Sequence, residues 1–349
     1  MSWMLYGANG YTGEMTARAA VAAGLKPVLA GRSRAPLEAL ARELGLESRV
    51  VALDSPTAVA ESLAGLSLVL HCAGPFSATA RPMIEACLAA RAHYLDITGE
   101  VAVFELAASL DERARAAGIV LCPGVGFDVV PTDCVALALA EALPGATHLA
   151  LGFDNASPVS RGTARTMVEG LGKGGTVRRD GVLVGVPLGF RERRIDFGAG
   201  EKLAMTIPWG DISTAYRTTG IGNIEVYVPI SPRRLAAIRR LNYLRWALRM
   251  KAVQAFMKRR IDAGTPGPDA ALRERTPTYI WGEVRAADGR TKTARIVTAN
   301  GYTVTVHASL AVVAHLLAGG VAPGSITPAR LLGARFVESL PGSGPLSIG

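Results

Sequence analysis

At 349 residues, 49% of them hydrophobic and with 39 glycines and 20 prolines, the chain is long enough for two domains and a large core, and has the composition of a compact, loop-rich α/β protein. Its net charge of +9 is local: ten basic residues and no acid fall at positions 232–261. The other 28 Lys and Arg face 29 Asp and Glu, which argues against a general nucleic-acid binder.

The first predicted strand, 3–6, runs into Gly7-Ala8-Asn9-Gly10-Tyr11-Thr12-Gly13, which opens an alanine-rich helical stretch. Glycines at a strand-to-helix junction allow a tight turn and let the backbone approach a pyrophosphate, whose charge meets the N–H groups and positive dipole end of the helix. The spacing is G-x-x-G-x-x-G, a variant that occurs among NADP-binding reductases, and the strand before and helix after supply the confirming context. The second strand, 26–30, ends at Gly31-Arg32-Ser33-Arg34, where an NAD-preferring site would place an acid for the ribose 2′-hydroxyl; the first acid is Glu38, too late. Arg32, Ser33 and Arg34 suit a 2′-phosphate instead, which favours NADP over NAD; the alternative is a solvated loop.

A helix at 36–44, a strand at 49–53 ending in Asp54, a helix at 56–64 and a purely apolar strand at 67–72 follow, then a helix at 80–90, a strand at 93–96, a helix at 101–117 and a strand at 119–122. Six repeats of this kind predict a doubly wound parallel sheet, a Rossmann fold, with strand order 3-2-1-4-5-6. Near residue 145 the pattern changes. Segments 148–154, 193–197, 202–207, 223–228, 279–285 and 291–307 read as antiparallel strands, the last with an Asn300-Gly301 turn, interrupted by helices at 161–171, 211–218 and 232–262. This predicts a dinucleotide-binding domain at 1–135, a second α+β domain with a mixed or antiparallel sheet at 136–308, and a helical segment at 309–349 packing back on the first domain.

Three more loops fall at strand ends, where a doubly wound sheet binds ligands. Ala73-Gly74-Pro75-Phe76 and Thr98-Gly99 would flank the nicotinamide, and Asp54 the adenine side. Glu100 and Asp128 bring carboxylates, for which catalysis and turn chemistry stay equally open, whereas Asp133 reads as a helix cap. The Tyr-x-x-x-Lys pair of short-chain dehydrogenases is absent, since no tyrosine has a lysine four residues on. The proton donor for a hydride transfer therefore lies among Asp128, Glu100, Tyr216 and water, and Phe127, Asp128, Trp209 and Tyr216 are candidate substrate contacts.

The Gly7–Gly13 turn, the Gly31-Arg32 tip, Ala73-Gly74-Pro75-Phe76, residues 94–100 and Gly126-Phe127-Asp128-Val129-Val130-Pro131-Thr132-Asp133 together resemble the saccharopine dehydrogenase-like oxidoreductases, most closely the trans-acting enoyl reductase branch. The resemblance is specific to about residue 135 and looser beyond, where Gly162-Thr163-Ala164 also matches. It implies an NADP-dependent oxidoreductase whose second domain covers the nicotinamide, and does not fix the substrate, since such enzymes act on amino acid adducts or on lipid-like enoyl chains; the reading taken is an apolar enoyl or carbonyl- or imine-type small molecule held between the domains. No dedicated set of arginines can be assigned to a multiply charged amino acid adduct. The rival reading is a catalytically silent NADP(H)-binding protein acting at a membrane or on an acidic partner.

The basic segment carries that rival. On a helical wheel Leu235, Ile238, Trp246, Met250, Val253, Phe256 and Met257 share one stripe, and Leu241, Leu244 and Leu248 a second. The segment reads either as a dock for a lipid or acyl-carrier surface, or as a helix packed by its stripes with solvated arginines, and packing is preferred. No run of eighteen uninterrupted apolar residues occurs, so no membrane span is expected. The start lacks a basic leader, which rules against a signal peptide. Four cysteines without C-x-x-C and five histidines without H-x-x-x-H predict buried, reduced thiols, no metal site and a cytoplasmic location, with peripheral membrane association and a homodimer left open.

Overall fold

A computed structural model describes residues 2–262 and 267–349. The chain forms two compact units, one of Met1–Val130 with Tyr302–Leu331, the other of Pro131–Gly301 with Leu332–Gly349.

In the first unit β1 (Trp3–Tyr6), α1 (Tyr11–Ala22), β2 (Val28–Gly31), α2 (Arg34–Leu44), β3 (Ser48–Val50), α3 (Pro56–Ser62), β4 (Leu68–His71), α4 (Phe76–Ala90), β5 (His93–Asp96), α5 (Val101–Ser109), α6 (Asp111–Ala117) and β6 (Val120–Cys122) alternate in chain order. The strands make one parallel sheet in the order 3-2-1-4-5-6, as the repeats predict. β1, β2 and β4 are buried at every residue because helices cover both faces. Met4, Tyr6, Val69, Met83, Ile84 and Leu121 belong to the core between these layers. The predicted 101–117 helix is two: Asp111 opens a new first turn, and its carboxylate accepts from Ser325 N at 2.7 Å and pairs with Arg115 at 2.8 Å.

In the second unit α7 (Val130–Ala142), β7 (Ala146–Asn155), α8 (Arg161–Leu171), β8 (Gly175–Arg179), β9 (Val182–Val186), β10 (Glu192–Asp196), β11 (Glu201–Ile207), α9 (Asp211–Thr219), β12 (Asn223–Pro229), α10 (Pro232–Leu241), α11 (Arg245–Leu248), α12 (Lys251–Asp262), α13 (Ala270–Arg275), β13 (Thr278–Ala286) and β14 (Thr291–Thr298) build a mixed sheet. Its main path is β10-β11-β12-β7-β13-β14, parallel only at β12–β7. The β8–β9 hairpin escaped the sequence reading although Asp180 and Gly181, at φ of 46° and 79°, are the dipeptide of a tight primed turn. The chain closes with α14 (Gly301–Ala318), β15 (Gly324–Ser325) beside β6, α15 (Pro328–Leu332) and β16 (Ser347–Ile348) beside β14.

Two expectations are overturned here. The predicted strand 291–307 ends at Thr298, and Asn300-Gly301 starts α14 instead of turning a hairpin; the hairpin turn is at Asp288-Gly289. Thr303, Val304, Thr305 and Val306 look like strand residues by their branching, but the helix buries Val304, Val306, Val312, Val313 and Leu316 in the first unit, and packing overrides propensity. By length and composition α14 could cross a bilayer, although more than half of it is buried. The 309–349 tail likewise divides, since only residues up to Leu331 join the first unit.

The predicted helix 232–262 is α10, a 3₁₀ turn over Asn242–Leu244, α11 and α12. Asn242 fixes the break: its amide donates to Leu188 O (3.1 Å) and Arg239 O (3.0 Å), and its oxygen accepts from Leu188 N (2.8 Å). The break rotates the faces, so the apolar stripe is not packed along its length. Leu235 is buried, but Trp246, Met250 and Phe256 are exposed. The cysteines form no disulfide; Cys87, Cys122 and Cys134 are buried and Cys72 is half-buried.

Candidate functional site

All the predicted cofactor residues lie in the first unit, on loops that leave the carboxyl ends of β1 to β5. Because the strands are parallel, these ends share one edge of the sheet. Gly7 takes φ +82°, and Gly7 N and Ala8 N both donate to Ala30 O, at 2.7 and 3.1 Å, which ties the turn to the end of β2. A Cβ at Gly13 would lie 2.1 Å from Gly7 O, and one at Gly7 would lie 2.8 Å from the Ala73 Cβ. The glycines are therefore demanded by backbone closeness. Gly10 is the N-cap of α1 and offers no side-chain cap, so the positive end of the helix faces the glycine turn, and this cradle fits a pyrophosphate. Asn9 reaches across to β2, where a Cβ at Gly31 would stand 2.8 Å from its Oδ1. Tyr11 and Thr12 begin the helix, and the Tyr11 ring meets Tyr302 edge-on at 5.1 Å.

At the tip of β2 the three predicted residues separate. Arg34 pairs with Glu38 at 2.8 Å within α2, a helical i,i+4 contact. Arg32 is exposed and makes no ion pair or hydrogen bond with a described residue, and Ser33 precedes α2 without capping it with its side chain. Arg32 and Ser33 are thus the pair left to a phosphate. Asp54 is exposed just after β3.

The two loop acids also divide. Glu100 accepts from Phe76 N and Ser77 N, both at 2.8 Å, and so caps α4 through the Ala73-Gly74-Pro75-Phe76 loop. Asp128 lies half-buried against Gly99, where a Cβ would stand 2.8 Å from its Oδ2. Burial, reinforced by the charge of Glu100, pushes the Asp128 carboxyl up to about 7. A carboxyl in that state can give or take a proton near neutral pH.

Behind both sits an organiser that sequence reasoning passed over. Asp96, fully buried, accepts from Tyr94 OH (2.6 Å), Thr98 N (3.0 Å) and Gly124 N (2.8 Å), so one carboxylate joins the loops after β5 and β6. Burial raises it to about 6 against the pull of those donors. Thr98 in turn accepts from Glu100 N at 3.0 Å. Thr305 of α14 was also missed: its hydroxyl accepts from Phe127 N at 3.0 Å and its methyl would meet a Cβ at Gly126 at 2.9 Å. No local signal could have found Tyr302 or Thr305, which arrive from nearly three hundred and nearly two hundred residues along the chain.

The remaining candidates belong to the second unit. Trp209 packs against Phe153 with the ring centroids 4.9 Å apart and the planes tilted by 49°. Tyr216 lies under the Arg178 guanidinium, 4.3 Å from the ring centroid, while Arg178 donates to Ile212 O (2.5 Å) and Gly181 O (2.6 Å). That ring therefore helps hold the β8–β9 turn. Asp133, read as a cap, accepts from Thr218 Oγ1 at 2.6 Å in the same unit.

Comparison with known proteins agrees with this geometry. Residues 3–122 match the saccharopine dehydrogenase NADP binding domain. A saccharopine dehydrogenase-like oxidoreductase of Mus musculus is 28% identical over 202 residues, covering 50% of this chain and 47% of that protein. A protein named as a trans-acting enoyl reductase in Mycobacterium tuberculosis is 31% identical over 147 residues, covering 40% and 35%. The chain thus spans less than half the length of these curated relatives. Apo saccharopine dehydrogenase (L-Glu forming) from Saccharomyces cerevisiae shares the fold, with a TM-score of 0.69 at 11% identity over 100% of this chain and 99% of that one.

Proposed function

We propose, from the match of residues 3–122 to the saccharopine dehydrogenase NADP binding domain, that the chain is an NADP-dependent oxidoreductase that delivers hydride to an apolar enoyl, carbonyl or imine substrate. The observation that carries the choice of NADP is Arg32, exposed beside the Ser33 hydroxyl and without an ion pair or hydrogen bond to a described residue, at the position where an acid would select NAD. When bound, the reduced nicotinamide supplies the hydride. The chain supplies the rest. Gly7, Gly10 and Gly13 with the start of α1 hold the pyrophosphate, Arg32 and Ser33 the 2′-phosphate, and the Ala73–Phe76 and Thr98–Gly99 loops the nicotinamide end. With Glu100 engaged at α4, Asp128 is the residue we assign to proton delivery. An apolar substrate is favoured because the sequence offers no arginine set for a multiply charged one, and a relative bears an enoyl reductase name.

The test is a side-by-side titration with NADPH and NADH, following nicotinamide fluorescence. NADPH is expected to bind more tightly, and Arg32→Asp to weaken it by about tenfold or more with little change for NADH. Equal losses for both cofactors would overturn the 2′-phosphate assignment. Consumption of NADPH in a screen of enoyl thioesters, ketones and imines establishes the reaction class, whereas tight binding without consumption across that screen would favour the silent binder.

A further inference from the structure

The basic segment has an inner and an outer set of side chains. On the inner side Arg239 donates to Gly189 O (3.0 Å) and pairs with Glu192 (2.9 Å), Arg245 donates to Lys173 O (2.6 Å), Arg249 to Gly172 O (2.9 Å), and Lys258 pairs with Glu169 (2.6 Å). Glycines make room for this seat: a Cβ at Gly174 would stand 2.5 Å from the Arg245 guanidinium, and one at Gly172 2.9 Å from Arg249 Cγ. Four of the ten cations thus hold α10 to α12, Arg239 against the β9–β10 connection and Arg245, Arg249 and Lys258 against α8 and the loop that follows it.

The outer set is different. Tyr243 is 84% exposed, Trp246 69%, Phe256 59%, Leu244 52% and Met250 49%, all within one fourteen-residue span. Arg233, Arg234, Arg240, Lys251 and Arg259 are exposed around them and make no ion pair with a described residue, and Arg260 lies over the Phe256 ring at 5.2 Å. So dense a group of large apolar side chains, at a corner seated by the hydrogen bonds and ion pairs of Arg239, Arg245, Arg249 and Lys258, marks a docking surface.

The charge selects the occupant. A second copy placed across a two-fold axis would set this acid-free cationic segment against itself. An anionic bilayer answers both features at once, because Trp and Tyr settle at headgroup depth, Leu, Met and Phe enter below it, and Arg and Lys meet phosphates. We propose that residues 240–260 dock on the surface of an anionic lipid bilayer. This attachment is independent of the cofactor chemistry.

The experiment is flotation of the full chain with phosphatidylcholine vesicles that contain or lack phosphatidylserine, at low and high salt. Binding is expected with phosphatidylserine, weakened by salt and by its omission. The Tyr243→Ala/Trp246→Ala pair and the Arg240→Glu/Lys251→Glu/Arg259→Glu triple are each expected to lose at least about tenfold in vesicle affinity. Arg239 and Arg245 are left intact because they hold the segment in place, and an unchanged thermal transition with unchanged NADPH binding shows that each variant is folded. Trp246 also gives a direct signal. Of the four tryptophans, Trp3 and Trp281 are buried and Trp209 half-buried, so a blue shift on adding vesicles that Trp246→Phe abolishes places that ring in lipid. No binding to phosphatidylserine vesicles, or binding that neither folded variant weakens, overturns the proposal. So does a dimer in sedimentation velocity that Trp246→Ala dissociates, which would assign the surface to a second copy.

Discussion

Asp128 is the residue whose chemistry depends most on its surroundings. Its sequence context, Gly126-Phe127-Asp128-Val129, is compatible with a turn acid at an ordinary pKa; burial beside Gly99 and the nearby Glu100 raise it to about 7. A carboxyl raised on folding binds its proton more tightly in the native state, so it favours folding at low pH. That stability is fully present below the unfolded value near 3.8, and is lost as pH climbs through about 7. Asp128→Asn, neutral throughout, is therefore expected to gain stability relative to the native protein between pH 4 and 7 and to hold a constant difference above. Urea unfolding at a series of pH values measures this, and a difference that stays flat across the window would show that Asp128 is not raised. Glu100 and Arg34 teach the complementary point. Residue type marked them as site candidates, but each has a nearer task, one capping α4 and the other closing an i,i+4 pair.

At the scale of elements, the site is held by loops that carboxylates and hydroxyls join together. Asp96 satisfies three buried donors at once, the Tyr94 hydroxyl within β5 and one amide on each of two loops. Asp96→Ala would strand Tyr94 OH and the amides of Thr98 and Gly124, and is expected to cost about 3 kcal/mol of stability, read as a lower urea midpoint at unchanged slope. A loss under about 1 kcal/mol would mean that the loops stand without it. The elements most legible from sequence were those with one face or both faces committed to a core: β1, β2 and β4 as apolar runs, and α2 through Leu37, Leu40 and Ala41. Thr303 to Val306 failed because branched side chains favour strands only while the surroundings allow a strand, and here the first unit buries the segment as a helix. The basic segment failed for another reason: one asparagine side chain, competing for backbone groups, was enough to break the periodicity that a helical wheel assumes.

On the scale of the molecule, the residues proposed to hold the cofactor sit in a unit assembled from two stretches of chain, Met1–Val130 and Tyr302–Leu331. Ligand binding there should stabilise both stretches together. With NADPH at about a hundred times its Kd, the stability of that unit is expected to rise by about 2.7 kcal/mol. Hydrogen exchange reads this as slower exchange of the buried amides in β1, β4 and α14, and slowing confined to the first stretch would mean that α14 is not part of the cofactor-binding unit.

The sequence by itself determined the parallel sheet and its 3-2-1-4-5-6 order, and the glycine turn that opens α1. These follow from local requirements, since apolar runs, crossover helices and backbone closeness leave few alternatives. Only the tertiary structure decided which polar groups serve the site and which serve the fold. Thr305 and Tyr302 reach the glycine loops from the far end of the chain, Glu100 is taken by α4, and the corner at Asn242 turns aromatic side chains outward. Side-chain partners are chosen by proximity in space, and no spacing along the chain records that.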